Sequence, residues 1–435
     1  MWHATLWRRI DGRWLVALIA LEVVAGVLLL VPRGEVASAG AGIGEYAASL
    51  AAGHGYSMPV PCGQLDHARR MPLAPMFLAA VALAGGGVWS ALLARLVLLL
   101  GVLVAAIASQ VRGKERWWRD ASGKLLLLLL AASPVFAKHL TQLGYEEGFS
   151  LVLVPALVLV GLAVIAAPEA RPERIDVAFG ALVAGVFLVK SGYLLLCLVG
   201  ASTLGWAAIV RRRRSAWLGL LLALAAPLGW MLFVLSSTGR VEAGTSWDGE
   251  NLFRGWCSAC ARVYPWQSLD RIFDSAAIAT PDGVVPAPAA PPRCAFPSEW
   301  AWSDHYRDRA LASAGAAPRE AFEFLSRKLW VVLAEVRPVP RVGGLDVTRS
   351  AVVVGSFVLL RGAALAALVL AWRRRALLAH FTASLWFSAA CCGALCVPLL
   401  VGFAYDRHSV VLLVAFLSAA AGIASRARER MAAPR

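Results

Sequence analysis

The sequence predicts an all-α polytopic membrane protein: a bundle of about ten transmembrane helices with loop elements on one side. Three observations carry that reading. Of 435 residues, 59% are hydrophobic and only 16% charged, with a mean hydropathy of +0.67. Uncharged apolar runs such as 217–235 (WLGLLLALAAPLGWMLFVL) are long enough to cross a hydrocarbon core of roughly 30 Å as a helix. The basic residues behind the net charge of +15 cluster just outside such runs. They stand at Arg8, Arg9 and Arg13, at 112–119, 211–214 and 373–375, and in the tail from Arg426, where the positive-inside rule puts cytoplasmic charge. No aromatic-interleaved basic stripe accompanies them, so the charge sets topology and nucleic acid is excluded as a partner.

Holding those clusters in the cytoplasm gives spans near 14–32, 88–110, 124–138, 148–167, 177–190, 192–210, 217–236, 348–372, 377–402 and 409–425, with both termini cytoplasmic. The apolar stretch 72–83 is not a span, since counting it would move 112–119 to the other side; it reads as a helix along the outer surface. Span 177–190 is short and pairs with 192–210 as a tight or re-entrant hairpin. The basic start and Ala37-Ser38-Ala39 resemble a signal peptide and its cleavage site. An apolar stretch of about 19 residues is long for that purpose, which favours an uncleaved first span.

The chain then divides into an N-terminal transmembrane region (1–236) carrying an external first loop (33–87), a large external loop (237–346) and a C-terminal transmembrane region (347–435). Within the large loop, AIATPDGVVPAPAAPPRC reads as an irregular surface excursion. Residues 318–336 have apolar positions at helical spacing and read as an amphipathic helix. Cys197, Cys391, Cys392 and Cys396 lie within spans as small packing residues. Cys62, Cys257, Cys260 and Cys294 are external, where two disulfides with three possible connectivities are expected. A bridge from Cys62 to the large loop would staple the two external segments; zinc at Cys257 and Cys260 is the weaker alternative. No metal-spacing motif occurs, so neither a metal nor another cofactor is expected.

The most informative stretch is 44–75, GEYAASLAAGHGYSMPVPCGQLDHARRMPLAP, which follows the first span. Backbone outside a helix must find hydrogen bonds in protein or water, so an acid on a Gly-, Tyr- and Pro-punctuated loop at a membrane rim reads as a site. Glu45-Tyr46, the GHGYS of 53–57 and the RMPLAP of 70–75 are followed by Asn251-Leu252-Phe253 with Gly255, an amphipathic helix ending near Pro338, and Asp406-Arg407-His408 before the last span. In that order the set resembles the GT-C membrane glycosyltransferases, in particular bacterial relatives of protein O-mannosyltransferases and of the lipid A aminoarabinose transferase. The resemblance implies a GT-C-like bundle with periplasmic loops in the bacterial inner membrane. It also implies an inverting transfer of sugar from a polyprenyl-phosphate donor to a periplasmic acceptor, whether protein, lipid A or another glycan.

Such chemistry needs a carboxylate for the acceptor's proton and cations for the departing phosphate. Glu45 is the first candidate acid, although the family's Asp falls at the position of Gly42. Glu146 and Glu147, in GYEEG at the end of a span, resemble the family's Ser-Glu element, with Glu147 the closer match. Arg407, Lys190 and Arg70 are the candidate phosphate cations, Arg being suited by its planar fork. Tyr46, His54, Tyr56 and Asn251 are candidates for the acceptor or sugar pocket. Glu22, Arg95 and Arg361, inside apolar runs, read as pairing within the bundle. Two other readings stay open: a catalytically degenerate polyprenyl-lipid-binding protein, and a transporter, against which stand the absence of repeats and the placement of candidates at the rim rather than the midplane.

Overall fold

The computed structural model describes residues 11–25, 42–60, 62–110, 120–166, 173–264, 269, 273, 277–280, 283–288, 290–334, 340–341, 344–345, 347–374, 378–402 and 406–432. Among them the chain forms seventeen α-helices and three two-stranded antiparallel pairs. It is a multi-pass all-α membrane protein. Seven helices are long and apolar enough to cross a bilayer, or eight if one bent pair counts as a span.

The expectation of about ten spans differs at three places. The first span is described only as α1 (Gly12–Ala25), and 26–41 lie outside the described residues. The second loop-proximal run is broken into α5 (Ala121–Ala131) and α6 (Pro134–Thr141), bent by 72°. Pro134 lacks an N–H and opens a new helix, so a continuous ladder cannot run through it. The third is α8 (Glu173–Val189), 17 residues long and joined by extended Lys190 and a 3-10 turn to α9 (Leu194–Ile209). Between α1 and α5 come α2 (Ile43–Ala51), the paired strands β1 (Met58–Pro59) and β2 (Leu65–Asp66), α3 (Leu73–Leu83) and α4 (Val88–Ala108). Helix α3, at 11 residues, is too short to span, as its sequence indicated.

Helix α7 (Glu147–Ala166) is apolar on every side and accordingly occupies the centre, buried along almost its whole length. Around it pack α4, α8, α9, α16 (Thr382–Val401) and α17 (Asp406–Ala432). Helix α8 meets α10 (Arg214–Thr238) through glycines: a Cβ at Gly180 would lie 2.1 Å from the Gly219 carbonyl oxygen. At the far end of these helices Asp176 pairs with Arg213 and accepts from Ser215 Oγ (2.6 Å), while Arg213 Nη1 donates to the Val164 carbonyl (2.8 Å).

The large loop has its own core. Helices α11 (Asp248–Trp256), α12 (Ser258–Val263), α13 (Glu299–Ala316) and α14 (Pro318–Leu333) bury Phe253, Trp302, Tyr306, Phe324 and Val331 together. The segment read as irregular contains a hairpin, β3 (Ala277–Thr280) with β4 (Gly283–Pro286), pairing Ile278 with Val285. Its β-branched residues flank a Pro-Asp-Gly turn sequence, which favours pairing over an open excursion. Disulfides join Cys62 to Cys294 and Cys257 to Cys260. A third pair, β5 (Pro340–Arg341) with β6 (Gly344–Leu345), leads to the long helix α15 (Val347–Arg373).

Candidate functional site

The first loop builds the site from its inner face. Ile43, Tyr46 and Ala47 of α2 share one side of the helix and are buried. Glu45, the first candidate acid, lies about 100° around from Tyr46, is exposed and does not line the cavity described below. The alternative position is closed as well. Gly42 has φ +93°, and a Cβ there would meet Met58 Sδ at 2.9 Å, so an aspartate would be strained.

The tyrosines act behind the cavity rather than in it. Tyr46 stacks on Tyr56 with ring centroids 4.3 Å apart, and Tyr56 meets Trp230 and Phe233 edge-on. The Tyr46 hydroxyl donates to the Asp66 carbonyl (2.9 Å) and accepts from the Arg69 amide (3.2 Å); the Tyr56 hydroxyl donates to the Arg70 carbonyl (2.8 Å). Burial raises both phenols above their usual range, so they remain neutral donors. A second brace comes from Glu299 of α13, which accepts from the amides of His67 (3.0 Å) and Ala68 (3.1 Å) and from Ser246 Oγ (2.9 Å). Together these bonds fix the Arg69-Arg70 segment. His54 is exposed and does not line the cavity described below.

Between the two loops and the ends of α7, α9, α16 and α17 lies a cavity of about 550 Å³. Of the residues expected from sequence, Arg70, Glu146, Glu147, Lys190 and Asn251 line it. Arg70 lies against the Trp247 ring (3.7 Å to the centroid) and pairs with Glu146 at 3.3 Å. Glu147 lies 3.5 Å from Lys190 Nζ and 3.4 Å from His408 Nε2, and these two nitrogens are 3.3 Å apart. Arg407 opens α17, but its side chain lies outside the described residues.

The sequence did not single out Arg69, Trp247, Asp248, Arg254 or a role for His408, all of which line the cavity. Arg69 and Arg254 also approach Trp247, at 4.9 and 6.0 Å, and Arg254 pairs with Glu250 one turn away. Asp248 accepts from the Thr245 amide (2.7 Å), Thr245 Oγ1 (3.0 Å) and Ser191 Oγ (3.0 Å). The signal was available, because Thr245-Ser246-Trp247-Asp248 has the spacing of a capping box.

The wall formed by α11 and α16 is drawn tight at Gly255, where a Cβ would fall 2.0 Å from the Gly402 carbonyl oxygen. Lys328 of α14 is buried beneath this junction. Its Nζ donates to the carbonyls of Gly255 and Gly402 (each 2.9 Å) and of Leu400. A second, apolar cavity of about 650 Å³ lies between α9 and α16, lined among others by Leu195, Leu198, Trp206, Trp386 and Val397. Leu194 and Pro398 line the first cavity, and their chain neighbours Leu195 and Val397 line the second. No group of acidic, histidine or cysteine side chains suited to a metal ion occurs among the described residues.

Comparison with protein-family models, with curated proteins and with solved structures finds no match to this chain.

Proposed function

We propose that this protein is an inverting glycosyltransferase that takes a sugar from a polyprenyl-phosphate donor and passes it to a periplasmic acceptor, with both termini in the cytoplasm of a bacterial inner membrane. The observation that supports the reading is a pair of cavities of complementary chemistry whose linings include the chain neighbours Leu194 and Leu195, and Val397 and Pro398. The chain has a charged chamber suited to a sugar phosphate and an apolar groove between α9 and α16, whose exposed Leu198 and Trp386 suit a lipid tail. A polyprenyl-phosphate sugar has this division of chemistry. The phosphate would meet Arg70, Arg69 and Lys190, whose charges offset the charge that develops on the leaving group.

Membrane lipid and the periplasmic acceptor are the remaining partners. Binding without transfer is the competing reading, favoured by the outward orientation of Glu45. A transporter is disfavoured because the charged residues that line the cavity lie at the loop end of the bundle rather than at its middle.

Native mass spectrometry of the purified protein, with its bound lipids extracted and identified, tests the reading. The expected result is a polyprenyl phosphate or its sugar adduct, with occupancy reduced at least tenfold by Arg70→Ala combined with Lys190→Met. Absence of any polyprenyl lipid, even after undecaprenyl phosphate is added, would overturn it.

A further inference from the structure

If the donor's phosphate is held by the cations of the cavity, a separate group must take the proton of the incoming nucleophile. The first loop does not supply it, since Glu45 faces outward and the backbone at Gly42 excludes a strain-free acid. Among the described residues, three carboxylates line the cavity: Glu146, Glu147 and Asp248. Glu146 is engaged by Arg70, and Glu147 by Lys190 and His408.

Asp248 is held differently. Its hydrogen-bond partners are neutral donors, the Thr245 amide and the hydroxyls of Thr245 and Ser191, and Lys190 acts on it only through space. A carboxylate offers about four acceptor positions, so three such bonds orient it and leave roughly one for a substrate proton. The donors come from two separate segments, the start of the large loop and the turn after α8, so the group is fixed at the seam where those segments meet the cavity.

We propose that Asp248 is the proton acceptor of the transfer reaction, in place of a first-loop acid. This inference rests on the glycosyltransferase reading above. In the step, the acceptor's hydroxyl or amine X–H forms a bond from X to the anomeric carbon. The bond from that carbon to the phosphate oxygen breaks, and its electron pair leaves with the polyprenyl phosphate. The X–H proton passes to the Asp248 carboxylate, so atoms and charges balance without a further reagent. Burial raises the Asp248 carboxyl above the usual aspartate value, which strengthens it as a base. The other charged groups of the cavity are Lys190 beside Ser191, Glu146, Glu147 and His408 on the facing helix ends, Arg69 and Arg70 against Trp247, and Arg254 on its own helix, paired with Glu250.

The test compares full-length wild type with Asp248→Asn, which keeps an oxygen for the Thr245 amide. Two readouts are taken in detergent: binding of synthetic undecaprenyl phosphate, and consumption of sugar-charged polyprenyl phosphate in solubilised source membranes with periplasmic extract from cells lacking the protein, which supply both the donor and the acceptor. The proposal expects binding within about threefold of wild type and consumption slowed by about 100-fold or more, the scale of a lost general base. Asp248→Glu, which restores a carboxylate, recovers part of the rate. Consumption by Asp248→Asn at the wild-type rate would overturn the proposal and leave Asp248 as a helix cap. Loss of undecaprenyl phosphate binding in Asp248→Asn would overturn it too, by assigning the residue to binding. Wild type that binds the lipid without consuming it would sink the proposal in favour of the binding protein. Wild type that binds no polyprenyl lipid would instead refute the glycosyltransferase reading beneath it, so the two failures are distinguishable.

Discussion

At the scale of single residues, sequence identifies a charged group more readily than the direction it faces. Lys328 shows the consequence. In sequence it is one basic residue on an amphipathic helix, yet it is 1% exposed and serves three carbonyls at the cavity wall. Replacement by Met would leave those carbonyls without their donor, at about 1–3 kcal/mol for each that stays unsatisfied. Lys328→Met should therefore lower the apparent Tm in detergent by several degrees and weaken undecaprenyl phosphate binding. Burial pushes the Lys328 amine down to about 7, against about 10.4 for an unperturbed lysine. Between those values the unfolded chain binds the extra proton, so stability rises with pH from about 7 towards 10. Thermal scans across that window should show this slope in wild type and lose it in Lys328→Met; an unchanged slope would assign it to another group. Glu45 is the converse case, a conspicuous acid whose burial depends on helical phase. Reading 44–57 as loop hid the phase that puts Tyr46 inward and Glu45 outward, and Glu45→Gln is expected to leave undecaprenyl phosphate binding unchanged.

At the scale of elements, what was legible follows from what determines each helix. Helix α7 is apolar throughout, and α4, α10 and α16 are long apolar runs, so hydropathy alone locates them. Helix α13 escapes this logic because its Trp, Ser, Asp and Arg residues gather on no single face. Its helicity follows from a Ser298 cap, which accepts from the Ala301 amide (3.1 Å), and from packing against α11. Site residues on helix ends were legible where a charge interrupts an apolar run, as at Glu146, Glu147 and Lys190. The capping-box spacing at 245–248 marks Asp248 as a helix cap but does not place it or Trp247 at the cavity, because that depends on contacts with Ser191 and Arg70 far away in sequence. The start of α7 depends on a similar long-range contact. Buried Arg95 of α4 donates to the carbonyls of Gln142 (2.9 Å) and Tyr145 (3.3 Å), fixing the turn that presents Glu146 and Glu147. Gly148 makes room for it: a Cβ there would lie 1.6 Å from Arg95 Nη2 and 2.7 Å from the His139 carbonyl oxygen. Gly148→Ala must displace either the guanidinium or the turn, with an overpacking penalty of about 1–3 kcal/mol. A lower apparent Tm together with weakened undecaprenyl phosphate binding is expected, whereas wild-type behaviour would show that the turn repacks freely.

At the scale of the whole molecule, the two loops and the helix ends act as one body that closes over the cavity. The Cys62–Cys294 bridge spans a sequence separation of 232, for which a free chain would gain on the order of 5 kcal/mol from cross-linking. The intervening helices already restrict that chain, so the gain here is smaller and local to the loops. Cys62→Ser with Cys294→Ser should keep the helical circular dichroism signal while making the large loop more sensitive to protease. The same architecture separates the two ends of the bundle. Helix α9 begins at Leu194 on the cavity and ends near exposed Arg211, and α10 returns the chain to the large loop, where Val284 stands exposed on β4. Arg211 and Val284 therefore lie at opposite ends of the bundle. With Cys197, Cys391, Cys392 and Cys396 replaced, a membrane-impermeant maleimide applied to intact cells of the source should label Val284→Cys. Arg211→Cys should react only after the membrane is opened. The reverse pattern would put both disulfides in a reducing compartment, where such bonds rarely persist, and would turn the cavity away from the periplasmic acceptor that the proposed reaction requires.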